Sequence, residues 1–163
     1  MKKEGNKVLI LGIGNVGRQD DALGWMFLEY LDTEHFSSVD IEYRYQLQVE
    51  DAELIGSYDR ILFIDACKTE IDRGFFMKPC VSSDKHSFST HSLLPETVMH
   101  LAGSLYENIP DAFVMGIQGY EWELEMGVSD MAYQNYLNAL NFFIENYDDF
   151  IDIKKEFTNH VLI

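Results

Sequence analysis

Val8-Leu9-Ile10-Leu11 is an unbroken apolar run closed by Gly12, and a helix-period pattern follows it within a few residues. A short run with apolar residues on both faces reads as a strand covered on both sides, the situation of an interior strand in a parallel sheet. From Asp21 onward, Leu23, Met26, Phe27, Tyr30 and Leu31 recur at i, i+3, i+4, i+7 and i+8, one apolar stripe of a helix laid on that sheet. Strand, glycine turn and helix in this order predict an α/β architecture, because a parallel partner strand is reached only through a crossover. The first strand is expected at the centre of the sheet.

The rest of the chain continues the alternation. Residues 39–45 alternate apolar and polar with period two and predict a half-covered strand beside the first. Residues 50–55 predict a short helix, and Arg60-Ile61-Leu62-Phe63-Ile64-Asp65-Ala66 is a second buried run that ends in a carboxylate. Residues 73–81 predict another strand, placed at an edge by Pro79. Pro95 opens a helix, residues 112–118 form a further buried strand closed by Gly119, and Ser129 caps a long helix expected to turn Met131, Leu137, Leu140 and Ile144 inward. Strands alternating with helices predict a mostly parallel, twisted sheet within one domain spanning 1–163. The segment 148–163 is charged and then apolar, a pattern compatible with docking or with fraying.

Composition removes several function classes. Twelve Lys and Arg stand against 28 Asp and Glu, a net charge of −16, which repels phosphate backbones and anionic membrane faces. No nucleic-acid or membrane partner is therefore expected. Aromatic residues at 13% and only three prolines set the chain apart from disordered compositions. No apolar stretch has the length of a signal or membrane-spanning segment. Cys67 and Cys80 have no zinc-site spacing and are read as reduced thiols. A monomer in the cytoplasm is the expectation.

In open parallel sheets, ligands bind at the carboxyl ends of the strands. Three such ends carry chemistry here: the segment from Gly12 through Gly14, Asn15 and Gly17 to Asp20 and Asp21, then Asp65, then the loop holding His86 and His91. The first formally matches G-x-G-x-x-G after a strand and before a helix. A diphosphate would need the positive helix N-terminus that Asp20 and Asp21 occupy with negative charge, and the second strand ends Tyr45-Gln46-Leu47-Gln48 without a ribose-binding acid. Asp20 and Asp21 could serve simply as first-turn acids. Asp65 is harder to explain that way, because a carboxylate ending an apolar run requires a cation, a metal or backbone donors. Two carboxylates and an imidazole at strand ends can converge on one divalent cation. H-E-x-x-H is absent, and Cys67 is read as a small buried hydrophobe.

Taken together, these residues resemble the hydrogenase maturation endopeptidases, which trim the C-terminal extension from the large-subunit precursor of nickel–iron hydrogenases. Gly12-x-Gly14-Asn15 followed by Asp20-Asp21 and Gly24, the strand-end Ile64-Asp65-Ala66 and the His91 loop occur in that family's order, across roughly residues 8–147. The resemblance implies a three-layer α/β/α sandwich of phosphorylase/hydrolase-like type and a peptide hydrolase. It implies that Asp21, Asp65 and His91 are the catalytic, metal-binding residues, with Gly12, Gly14 and Asn15 shaping the loop beneath them and Asp20 supporting the site or acting as a base. It also implies that nickel arrives in the precursor rather than as a resident cofactor. Many members carry an Asp-Gly-Gly-Thr loop where this chain has Gln46-Leu47-Gln48-Val49-Glu50. That loop, with Gly116 to Trp122 and its Gly119, is more similar to the branch serving cofactor-linked, soluble hydrogenases, and both loops are expected to select the substrate. The alternative reading is a metal- or nucleotide-binding module without peptidase activity.

Overall fold

The computed structural model describes residues 7–82, 93–106 and 109–157. Five strands form one sheet in the order β2-β1-β3-β5-β4: β1 (Val8–Ile13), β2 (Asp40–Arg44), β3 (Arg60–Cys67), β4 (Phe75–Pro79) and β5 (Asp111–Gln118). β2, β1, β3 and β5 are parallel neighbours, and only β4 runs antiparallel. β4 occupies the edge that Pro79 predicted, since a residue without an N–H weakens an interior ladder.

Side-chain alternation divides the interior into two cores. Val8 and Ile10 of β1 point to one face, with Leu62, Ile64, Met115 and Ile117, and are covered by α1 (Leu23–Thr33) and α4 (Asp130–Glu145). Leu9 and Leu11 point to the other face, with Ile61 and Phe63, and are covered by α2 (Asp51–Ile55) and α3 (Pro95–Tyr106). This is the α/β sandwich with a mostly parallel sheet that the alternation of elements demanded.

Two details differ from the sequence reading. The centre of the sheet is β3, not β1; β1 is interior but has only the short β2 outside it. On α4 the buried face is Ala132, Tyr136, Ala139, Leu140 and Phe143, while Met131 (62% exposed) and Ile144 (36% exposed) face outward. Leu140 is buried and Leu137 partly so, as expected; small Ala132 and Ala139 let the helix approach the sheet closely and take the places that the aliphatic spacing assigned to Met131 and Ile144.

The chain end docks as far as it is described. Helix α5 (Tyr147–Ile151) brings Phe150 onto Phe113, and Phe157 packs against both. Arg60, at the start of β3, is buried beneath this segment. Its guanidinium donates to the carbonyls of Phe150 at 2.8 Å and Lys155 at 2.7 Å, and pairs with Asp111 at 3.0 Å. A buried cation satisfied in this way ties the tail to the sheet.

Candidate active site

The site begins with the parallel pairing of β1 and β3. Gly12 lies opposite Ile64 in their register, so the carboxyl ends of the two strands stop level with each other. Helix α1 then passes directly over both. A Cβ on Gly24 would lie 2.7 Å from the carbonyl oxygens of Ile13 and Ile64, and one on Gly12 would lie 2.7 Å from the carbonyl of Gly24. Gly12 is therefore a packing residue within β1 rather than part of the loop.

Between strand and helix, residues 14–22 make a tight turn and a 3₁₀ segment (Gln19–Ala22). Gly14 adopts φ +152°, and a side chain there would collide with the Asp21 carbonyl. The amides of this turn are engaged within the protein. Gly14 N–H donates to Arg44, Asn15 N–H to Asp21 and Arg18 N–H to Asn15, while Gln19 and Asp20 donate to Glu125 and Glu121. The Asn15 side chain accepts from Gly17 N–H at 2.8 Å. A loop with most of its amides committed in this way lacks the row of free N–H groups by which a phosphate-cradling turn holds a diphosphate.

The turn delivers Asp21 beside Asp65, which follows the last buried residue of β3. Both carboxylates line two adjoining hollows. One, of about 310 Å³, is walled by Arg18, Ala66, Lys68 and Trp122; the other, of about 290 Å³, by Gly14, Tyr45, Gln46, Leu47, Leu93 and others. The acidic pair thus stands between a cationic, aromatic compartment and a largely uncharged one.

The two acids influence each other. Burial pushes the Asp65 carboxyl up, and the nearby Asp21 charge pushes it further, to about 7, against a hydrogen bond from Ala66 N–H. Burial also raises Asp21, opposed by the Asn15 amide and by the charges of Arg18 and Lys68. A partly buried carboxylate pair held at such a cost is the arrangement expected of a site awaiting a cation or a proton.

Asp20 behaves differently although it is adjacent in sequence. It is fully buried and accepts from Tyr120 N–H (2.7 Å), Glu121 N–H (2.9 Å) and both the N–H and hydroxyl of Ser129 (2.7 Å each). Burial disfavours its charge, but these bonds outweigh that effect and hold its carboxyl below the usual range. A carboxylate so committed does not serve as a base. Its role is to brace the 119–129 loop.

Of the remaining sequence-derived residues, Gln46 lines the uncharged hollow, and Leu47 bridges to Leu93. Gly119 donates its N–H to Cys67, joining the ends of β5 and β3, and a Cβ there would press on Asp20 and Trp122. His91 and His86 lie outside the described residues. Among the described residues no group of three or more metal-ligating side chains converges; of the three sequence-derived ligands the structure brings Asp21 and Asp65 together. Sequence reasoning missed Arg18 and Lys68 as cleft residues. Their only signal was position, within the glycine turn and three residues past Asp65.

No protein-family model matches the chain, and no curated protein matches it in sequence. Solved structures do match in three dimensions. The NiFe hydrogenase maturation protease HycI from Thermococcus kodakarensis superposes with a TM-score of 0.67 at 21% identity, covering 87% of this chain and 92% of that one. The chain has the hydrogenase maturation protease fold. The hydrogenase maturating endopeptidase HybD from E. coli gives a TM-score of 0.68 at 17% identity, with 88% and 93% covered. The hydrogenase 2 maturation peptidase from a Thaumarchaeota archaeon gives 0.64 at 18%, with 88% and 99% covered. Coverage of 87–88% of this chain and more than nine-tenths of each neighbour means that the maturation-protease fold accounts for most of the architecture. No helix among the described residues is long and apolar enough to cross a membrane.

Proposed function

We propose that this chain is an endopeptidase that removes the C-terminal extension from a nickel–iron hydrogenase large-subunit precursor once nickel has been inserted. The observation that carries this reading is the Asp21–Asp65 pair, one acid from the turn after β1 and one from the end of β3, set between two hollows. The fold shared with maturation proteases supports it.

Nickel here is part of the substrate. Asp21 and Asp65 would hold it, with His91 as the third ligand, and oxygen and nitrogen donors of this kind bind a divalent ion less tenaciously than thiolates, as transient recognition requires. The fit is electrostatic as well as chemical. Asp65, raised to about 7 partly by Asp21, relaxes when a cation neutralises the pair. Bound at the acids, the ion supplies positive charge near the scissile carbonyl. The two hollows on either side then receive the chain before and after the scissile bond. Gln46 and Leu47 on one side, and Trp122 on the other, contact the flanking residues and select among precursors.

The test is processing of a nickel-loaded large-subunit precursor by purified protein, followed by intact mass. Asp21→Asn, Asp65→Asn and His91→Ala are expected to abolish cleavage while preserving the folded circular-dichroism spectrum. Cleavage by all three variants at the wild-type rate overturns the reading. Tight nickel binding by the isolated protein with no cleavage of any precursor points instead to a metal-binding module.

A further inference from the structure

We propose that Arg18 and Lys68, on either side of Trp122, form a carboxylate-binding subsite that takes an acidic side chain or the terminal carboxylate of a peptide lying in the cleft. The inference deepens the peptidase reading and rests on it for the peptide character of the ligand.

The argument starts from charge. The chain has 28 acids for 12 Lys and Arg, so an exposed cation has many possible partners. Among the described residues Arg44, Arg60 and Lys155 each sit within 4.0 Å of a carboxylate oxygen. Arg18 and Lys68 are also exposed and, like Arg73, Lys78 and Lys154, form no ion pair within 4.0 Å among the described residues, although their charges act on Asp21. What sets Arg18 and Lys68 apart is that both line one hollow of about 310 Å³ beside Trp122, with Asp21 and Asp65 also in its wall.

Three separate segments bring them there. Arg18 is carried by the glycine turn, with its backbone N–H tied to Asn15. Lys68 directly follows β3, where Cys67 is tied to Gly119. Trp122 belongs to the loop braced by Asp20. The Lys68 Nζ lies 5.2 Å from the centroid of the Trp122 ring, and Arg18 Nη1 reaches the Trp122 carbonyl at 3.5 Å, the outer edge of a hydrogen bond. A ring face fixes the ammonium without neutralising it. The guanidinium likewise keeps most of its donors uncommitted among the described residues.

The chemistry of the ligand follows. A planar guanidinium beside a point-charge ammonium matches a single carboxylate. The net charge of −16 opposes a polyanion such as a nucleic acid. Trp122 offers an apolar wall to the residue bearing the carboxylate.

Three small probes separate the sources of that carboxylate: N-acetylglutamate α-amide carries only the side-chain acid, N-acetylglutamine only the terminal acid, and N-acetylglutamine α-amide neither. Each is titrated into the full chain at constant ionic strength, and the Trp122 indole N–H resonance is followed, assigned by Trp122→Phe. At least one acidic probe is expected to shift it saturably, with at least tenfold tighter binding than the neutral probe. Arg18→Gln and Lys68→Gln should each weaken that binding several-fold, and Lys68→Arg should restore it, with the remaining amide spectrum unchanged. The acid that binds identifies the source. Equal binding of the neutral probe, wild-type binding by the double variant, or no saturable shift from any probe overturns the proposal. The readout does not depend on cleavage, so the subsite and the peptidase activity can fail separately.

Discussion

The Asp20 carboxylate accepts both the backbone N–H and the hydroxyl of Ser129, each at 2.7 Å, across 109 positions of sequence. Ser129 in turn accepts from Ala132 N–H at 3.3 Å as the N-cap of α4. One buried charge therefore fixes the 119–129 loop and the start of the helix behind it. Replacing Asp20 with Asn would remove the charge and turn one of the two accepting oxygens into an NH2 donor that faces an N–H group, and a loss of about 2–4 kcal/mol is expected. Hydrogen exchange at Tyr120, Glu121 and Ser129 should accelerate in Asp20→Asn, and unchanged protection there would contradict this role. Because the folded Asp20 carboxyl lies below its unfolded value of 3.8, its contribution is present above that pH and lost as pH falls through the folded value.

Asp65 has the opposite sign. Its folded value, about 7, exceeds the unfolded 3.8, so the folded state holds the proton more tightly. Stability should be greatest below pH 4 as far as this group is concerned, and should fall as pH rises to about 7. Asp65→Asn removes the titration. Its melting temperature is expected to exceed wild type at pH 8, by the equivalent of about 1–3 kcal/mol, and to converge with it near pH 4. Parallel melting curves for the two proteins across that range would refute the coupling.

Proton and cation compete for the same pair. Nickel affinity, measured by calorimetric titration, should weaken as pH falls below 7, by up to about tenfold per unit, because binding must displace the Asp65 proton. The buffer-corrected heat should show proton release at pH 6 and much less at pH 8. An affinity independent of pH over this interval would place the metal elsewhere.

Arg60 tests the docked tail. Arg60→Met keeps the volume but removes the donors to the Phe150 and Lys155 carbonyls. An expected cost of about 2–4 kcal/mol should appear as protease cleavage within 148–157 before the rest of the domain is cut. Cleavage there at the wild-type rate would show that aromatic packing by Phe150 and Phe157 suffices.

Much of the architecture was legible in local chemistry. The apolar runs of β1, β3 and β5 have the two-sided covering that parallel strands require, Pro79 belonged at an edge, and Ser129 capped the helix it preceded. The α4 stripe was read correctly at Leu140 but not at Met131 and Ile144, because alanines bury by allowing close approach, which hydrophobic spacing does not register. Asp65 stood out in the sequence because it ends a buried run, whereas Asp21 was open to a plain first-turn reading and was singled out only by the family resemblance. Arg18 and Lys68 were not legible, since an exposed cation in an acid-rich chain reads as solubility.

The sequence by itself determined the α/β layering and marked Asp65 as a carboxylate ending a buried strand, since periodicity and the cost of burying charge are local properties. The tertiary structure alone separated Asp20 from Asp21. These neighbours share a residue type and a turn, yet one is consumed by four hydrogen bonds to a loop a hundred residues away, while the other faces Asp65 across the cleft. Sheet order likewise made β3 the centre, because strand neighbours are chosen by crossovers and packing that no local pattern encodes.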